Sequence, residues 1–489
     1  MQWQSAPCVK MINQILGLKN ESSADASRYI DVFGRKERYK NMNVQEVNEY
    51  IENNKDELIS LLQKCIQAKP VNPLYAMEHG YNEAECEKIL IEKIKTLGLE
   101  LYTFDVDLNE LEEYRDMPGF ITGYTDKIDF KDRPNIVAKL PGTDPKNAKS
   151  ILLIGHCDVV AADDIELWKH HPFAAEIDDG VLYGRGCVDE LGGLISQLIA
   201  IEAIIKTGNR PKGDIWFSSV VCEESGGTGV LAVADWLKKK GVKIDAGIMG
   251  EPTDLDVSLL CRNITWGDIK IVGRTGHLEE WQPHWTQGGP VDAIKKARYI
   301  MDQIDNLNEE WAKRPDKNHP LEKLPCQVKV AIIKGGHHRS SYPASCELSF
   351  NIQILPQETD KFGLGPNVKK EFEDFIARAS EADPWLKENP PVVEWVCEAD
   401  CSEVPQDHPF VKVFEENAKK TQKDSRLIGS GFHTDTGWLM RVPEIPVVNY
   451  GPGNPALAHS TNERCKVEDV VKCCKTVAMT CMEWCNTDK

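Results

Sequence analysis

The sequence predicts an α/β protein with a mostly parallel central sheet, interrupted by a smaller α+β insert. Three observations carry this expectation. Short apolar runs alternate with helix-periodic stretches between residues 136 and 249, the pattern of strand–helix units laid over a largely parallel sheet. After residue 260 the alternation gives way to a few longer strand-like segments with two helices among them. Acidic and histidine residues stand where the apolar runs end, and the ends of such strands are where open α/β sheets bind ligands.

Taken in order, residues 43–68 carry apolar side chains at helical spacing, and the prolines at 70 and 73 end that helix. A second helix is predicted over 83–97, stopped by Gly98. Strands follow at 136–140 and 150–154, a helix at 192–206, a strand at 214–221, a helix at 229–239 and a strand at 246–249. The changed pattern then gives a strand at 268–272, a helix at 290–306, strands at 327–333 and 346–355, and a helix at 367–380. A chain of 489 residues exceeds one compact core. The expected division is an N-terminal extension over 1–42 with no assigned chemistry, a larger domain over 43–264 and 384–489, and the insert over 265–383. The sequence holds no internal repeat and no long low-complexity segment.

A hydrophobic content of 41% is that of a globular protein, and a formal charge of −19 argues against nucleic acid or an acidic membrane as partner. Residues 1–10 show no basic and apolar leader pattern, and no stretch is apolar for long enough to span a bilayer. Sixteen cysteines are dispersed without short repeated spacings. Reduced, buried thiols and a cytoplasmic location are therefore expected. Cys473 and Cys474 lack the Cys-x-x-Cys pair that anchors structural zinc.

The chemistry begins with Glu223 and Glu224, adjacent acids between the apolar run 215–221 and a Gly-rich turn at 226–229. Side by side at the end of a buried strand they repel each other, and a divalent metal is the commonest way to hold them: one carboxylate coordinates it while its neighbour takes protons from a water. His156, Asp189, Glu251 and His459 supply further oxygen and nitrogen donors. This hard set suits two divalent ions, Zn²⁺ first, with Co²⁺ or Mn²⁺ as alternatives. Asp158, two residues after His156, lies on the same face of an extended chain. It is expected to accept the second ring N–H of His156 and fix its tautomer.

Seven ordered blocks give the chain a wider likeness: His156-Cys157-Asp158, Trp168 with His171-Pro172-Phe173, residues 180–189 ending in Asp189, Glu223-Glu224, Gly250-Glu251-Pro252-Thr253, residues 273–277 ending in His277, and Gly451-Pro452-Gly453 followed by His459. In these it resembles the dinuclear-metal aminoacylase and carboxypeptidase amidohydrolases, which include acetylornithine deacetylase and succinyl-diaminopimelate desuccinylase. The resemblance implies a zinc-peptidase-like catalytic domain with an inserted dimerisation (lid) domain. It implies that Asp189 bridges two metals, that His156 and Glu251 complete one site and Glu224 and His459 the other, and that Glu223 is the general base. It further implies that His277 stabilises the developing oxyanion, usually across a homodimer interface. The implied reaction is hydrolysis of the amide bond of a small N-acylated amino acid or amine. A metallo-dipeptidase or carboxypeptidase acting on short peptides is the alternative, and a catalytically inactive binding protein the alternative of another class.

The chain departs from the family pattern in three places. Asp189-Glu190-Leu191-Gly192 stands where the family often reads Asp-Met-Lys-Gly, which makes the local field more negative. Gln353 occupies the place of an Arg that grips a substrate carboxylate in many relatives, and Gln cannot form that bidentate charged pair. A region rich in Asp-Ala-Arg appears here as residues 433–438. Arg339 and Arg441 are the candidates to replace the missing charge. Trp281 and Trp285 are candidates for a pocket wall or for interface packing.

Overall fold

A computed structural model describes residues 43–76, 83–117, 119–120, 125–162 and 164–489; the expected N-terminal extension lies outside them. The first predicted helix forms as two, Val44–Asn53 and Lys55–Gln67. Asn54 separates them, its side chain donating to the Tyr50 carbonyl at 2.7 Å, as short amides do when they compete with the helix ladder. The predicted helix near 83–97 forms as Ala84–Leu97, closed by Gly98 in the left-handed region.

The central sheet contains, in spatial order, Glu100–Phe104, Asn135–Leu140, Ile215–Val220, Ile151–His156, Ala246–Met249, Val447–Asn449, Val257–Cys261 and Ser402–Glu403, with Leu427–Gly429 also pairing to Val257–Cys261. Its middle four strands, Ile215–Val220 to Val447–Asn449, are mutually parallel. They are buried throughout, as strands covered on both faces must be. One cover is the helix Leu191–Lys206, itself buried from Leu191 to Ile204 and packed between the sheet and the C-terminal helix Val467–Trp484. Gly193 permits the close approach at its start, where a Cβ would collide with the carbonyl of Gly250.

A second sheet, wholly antiparallel, has the order Gln327–Gly335, Ser345–Ile354, Asn263–Val272, Val392–Ala399. The helices Ala293–Trp311 and Pro366–Ser380 pack with it around a separate core that includes Ile269, Ile300, Trp311, Phe350 and Phe372. Its fourth strand lies beyond residue 383, where the insert was expected to end. The chain crosses between the sheets at Arg262 and again at residues 400–401, and the two crossings lie side by side because Ser402 pairs with Cys261. Arg262 is fully buried there, donating to Glu322 at 2.9 Å and to the Pro325 carbonyl at 3.1 Å. Apart from Cys397 and Cys401, the described cysteines are buried, and none is in a disulfide. No helix of the described residues is long and apolar enough to cross a membrane.

One buried acid inside this frame has a measurable consequence. Glu87 accepts from the Ser219 hydroxyl at 2.8 Å, yet burial pushes its pKa up to about 8 from an ordinary 4.5. Between those values the folded state keeps a proton that the unfolded chain has released, so its contribution to stability is present below the lower value and is lost as pH rises through the upper one. Glu87→Gln is expected to remove that slope: relative to wild type, its urea midpoint rises from pH 5 to pH 8. An unchanged difference between the two pH values would show Glu87 to be ionised in the fold.

Candidate metal centre and active site

The parallel strands Ile151–His156, Ile215–Val220 and Ala246–Met249 end at one edge of the sheet. Their ends deliver His156, the pair Glu223 and Glu224, and Glu251 to the same place. Asp189 arrives just before the helix Leu191–Lys206, and His459 from the loop ahead of the strand Arg464–Lys466. The two Asp189 oxygens face different histidines: Oδ1 is 3.2 Å from His156 Nε2 and Oδ2 is 3.2 Å from His459 Nε2. Glu224 lies 3.1 Å from His459 Nε2, and Glu251 and Glu223 lie 4.0 and 3.9 Å from His156 Nε2. The six residues expected to supply the metals and the base thus form one cluster.

His156 Nδ1 donates to the backbone carbonyl of Asp158 at 2.8 Å, which leaves Nε2 directed at the acids. The expected partner was the Asp158 carboxylate, and that is corrected: Oδ1 is 3.6 Å from Nδ1. The carboxylate is instead engaged by Asn72 Nδ2 at 2.7 Å and by the backbone N–H groups of Glu223 and Glu224, both at 3.1 Å. Asp158 therefore fixes the turn that carries the two glutamates.

His277 is not brought to the cluster by its own chain. It is exposed on the second sheet's side, where its ring accepts from the Glu279 backbone at 3.3 Å. Trp281 is 85% exposed, and Trp285 packs edge-on against Trp385 at 5.6 Å; neither lines the cavity above the acids.

Three further residues have structural parts to play here: Glu190, which the sequence marked only for the negative field it adds, and Glu463 and Asn72, which the sequence did not single out. Glu190 is buried beside Asp189, accepts the backbone N–H of His156, and lies within metal-ligating reach of His156 and Glu251. Glu463 is buried and accepts the N–H groups of Gly186, Val188 and Asp189 at 3.0, 2.8 and 3.2 Å on Oε1, while Arg185 donates to Oε2 at 2.6 Å. Asn72 is the third, through Asp158. Glu463 lies in the His459 block, but no local pattern marks a residue that acts through backbone amides far away in sequence.

Whether metals fit is answered by the charges. Burial pushes Glu223 and Glu251 well above the carboxylate range, Glu224 up to about 7 and Glu190 up to about 8. His459 is pushed up to about 11 by Asp189 and Glu224. Glu190 Oε2 is buried with no hydrogen-bond partner among the described residues, and no Lys or Arg among them lines the cavity. Buried acids in this number need positive charge, and their oxygens with two imidazoles are a donor set for divalent cations. The residues fit.

Comparison with known proteins agrees. Residues 152–483 match peptidase family M20/M25/M40. The N-formyl-4-amino-5-aminomethyl-2-methylpyrimidine deformylase of Bacillus subtilis (strain 168) is 30% identical over 439 residues, covering 85% of this chain and 99% of that protein. The succinyl-diaminopimelate desuccinylase of Orientia tsutsugamushi (strain Ikeda) is 27% identical over 340 residues, covering 67% of this chain and 78% of that protein. Among solved structures, the di-peptidase Dug1p of Saccharomyces cerevisiae superposes with a TM-score of 0.66 at 16% identity, covering 92% of this chain and 100% of that one. That likeness concerns the fold alone.

The Glu463 clamp yields a prediction. Glu463→Ala leaves three amide groups and the Arg185 guanidinium without their acceptor, so a loss of about 3–5 kcal/mol is expected in chemical denaturation, together with weaker metal retention on dialysis because Asp189 is no longer held. A loss below about 1 kcal/mol with unchanged metal content would show that Asp189 is positioned by other means.

Proposed function

The chain belongs to peptidase family M20/M25/M40, whose members are metal-dependent hydrolases of amide bonds, and from that premise we propose that it removes a small acyl group from the nitrogen of a small amine. The observation that carries this reading is the near-complete, 30% identical match to a deformylase, joined to a cluster in which each oxygen of Asp189 faces its own histidine 3.2 Å away. In the proposal two divalent ions, Zn²⁺ first, would be held here, and Asp189 would serve both. His156 and Glu251 would serve one ion, with Glu190 within reach of the same two residues, and Glu224 and His459 would serve the other. Such ions supply Lewis acidity that polarises an amide carbonyl and lowers the pKa of a nearby water.

The chain's own groups do the rest. Glu223 is half-buried at the cavity floor, next to the ligands without being one of them. It takes the proton of the attacking water as oxygen bonds to the acyl carbon, and returns it to the nitrogen as the C–N bond breaks, giving a carboxylic acid and a free amine. The Asp158 and Asn72 hydrogen bonds hold the turn on which Glu223 stands. His277, exposed and remote in its own chain, is proposed to complete the site of a second copy in a homodimer. The exposed apolar residues Leu278, Ile332 and Ile333 on the second sheet's side support such an interface. Unpaired cysteines throughout the described core suit a reducing cytoplasm.

Two experiments follow. Glu223→Gln is expected to keep its metals and lose about 10² or more in turnover, whereas Asp189→Ala loses both ions by elemental analysis. Near-normal turnover of Glu223→Gln would refute the mechanism. The homodimer is tested by mixing His277→Ala subunits with Glu223→Gln subunits. Neither is active alone, and activity returns on exchange because one site then receives an intact group from each chain. Mixed dimers without activity would confine His277 to its own chain or to no catalytic part.

A further inference from the structure

The cavity above the acids has a volume of about 710 Å³. Its floor is the cluster already described; its wall includes Trp266 and Ile264 from the second sheet, and Phe432, His433 and Asp435 from the loop after Leu427–Gly429. None of the described residues in this wall is a lysine or an arginine. The buried guanidinium groups of the surrounding elements are engaged elsewhere: Arg185 with Glu463 at 2.6 Å, Arg262 with Glu322 at 2.9 Å and Arg133 with Glu83 at 2.7 Å. Of the two candidates for a missing positive charge, Arg441 pairs with buried Asp400 at 2.8 Å and stacks on Trp438. Arg339 stands exposed on the second sheet's side, away from this wall.

The wall carries an acid instead. Asp435 is buried, and its Oδ2 has no hydrogen-bond partner among the described residues. His433 lies 3.8 Å from its other oxygen and donates from Nδ1 to the Asp400 carbonyl at 3.0 Å, so whatever charge His433 carries is faced by Asp435. A substrate carboxylate entering here would lose its water, meet Asp435 and find no guanidinium, which is costly. The indole of Trp266 and the ring of Phe432 offer flat apolar surface, and Asp435 Oδ2 offers an acceptor for an N–H.

Resting on the deacylase reading, the geometry points to an amine partner that is flat, aromatic and free of carboxylate, held against Trp266 and Phe432 and hydrogen-bonded to Asp435. Trp266 and Asp435 then determine specificity without taking part in bond cleavage.

The test uses the full chain loaded with Zn²⁺ and two matched pairs of compounds. N-formyl-4-aminophenethylamine is compared with N-formyl-4-aminophenylalanine, and the glycyl amide of 4-aminophenethylamine with glycyl-4-aminophenylalanine. Within each pair the member lacking a carboxylate is expected to have a kcat/KM higher by about tenfold or more. Calorimetry is expected to show binding of 4-aminophenethylamine and none of 4-aminophenylalanine at equal concentration. Trp266→Ala should raise KM with little change in kcat, Trp266→Phe should restore most of it, and Asp435→Asn should narrow the preference within each pair. If the formyl compounds are inert and the glycyl amides are cleaved, the deacylase reading fails, while the preference within the glycyl pair still decides the present inference. Equal or better binding and use of the carboxylated members overturns it, and loss of that use in Arg339→Ala would assign the carboxylate to a partner subunit's charge. If no compound is cleaved, calorimetry alone decides.

Discussion

Negative charge crowded at the floor of one cavity governs this molecule. Asp189, Glu190, Glu223, Glu224 and Glu251 converge at one end of a buried sheet with only two imidazoles facing them. Ionised carboxylates in low dielectric repel each other strongly, and leaving them unpaired is among the most destabilising arrangements a fold can hold. The surrounding structure answers that constraint in layers. Backbone amides of the Glu223–Glu224 turn bind Asp158, amides of the Asp189 loop bind Glu463, and the Asp158 carbonyl orients His156. Each device fixes the direction of a donor while leaving the oxygens and Nε2 atoms free to meet cations.

The parallel strands explain why the acids can converge at all. Parallel neighbours end at the same edge, so residues far apart in sequence arrive together without long loops to position them. The second sheet leaves the first through a single residue, Arg262, and returns beside it. Trp266 therefore stands over the acids within a few residues of the crossing, and its sheet keeps a core of its own.

Much of this was legible in the sequence because the signals were local. Apolar runs ending in His156, Glu223 and Glu251 marked strands and their functional ends together, and the metal and base candidates were found in one cluster. What escaped was non-local or conformational. Asn54 divides a helix whose apolar spacing runs on undisturbed through it. The strand Val392–Ala399 joins the second sheet only through pairing with a segment more than a hundred residues earlier. The bond expected of the Asp158 side chain is made by its backbone instead, a choice that residue spacing does not reveal. Glu463 acts on amides, which have no signature in a side-chain pattern.

The double crossing at Arg262 and residues 400–401 sets one part of the cavity wall apart from its floor. Residues that tolerate almost no change, because their charges must balance, sit on loops of the first sheet. Residues 264, 266, 397 and 399 of the cavity wall sit on strands with a different core, while Phe432 and Asp435 come from a loop of the first sheet. Substitution in the second-sheet part of the wall would reach the cavity without touching the acid cluster or its supports. A chain built this way can diverge in diet without renegotiating its chemistry.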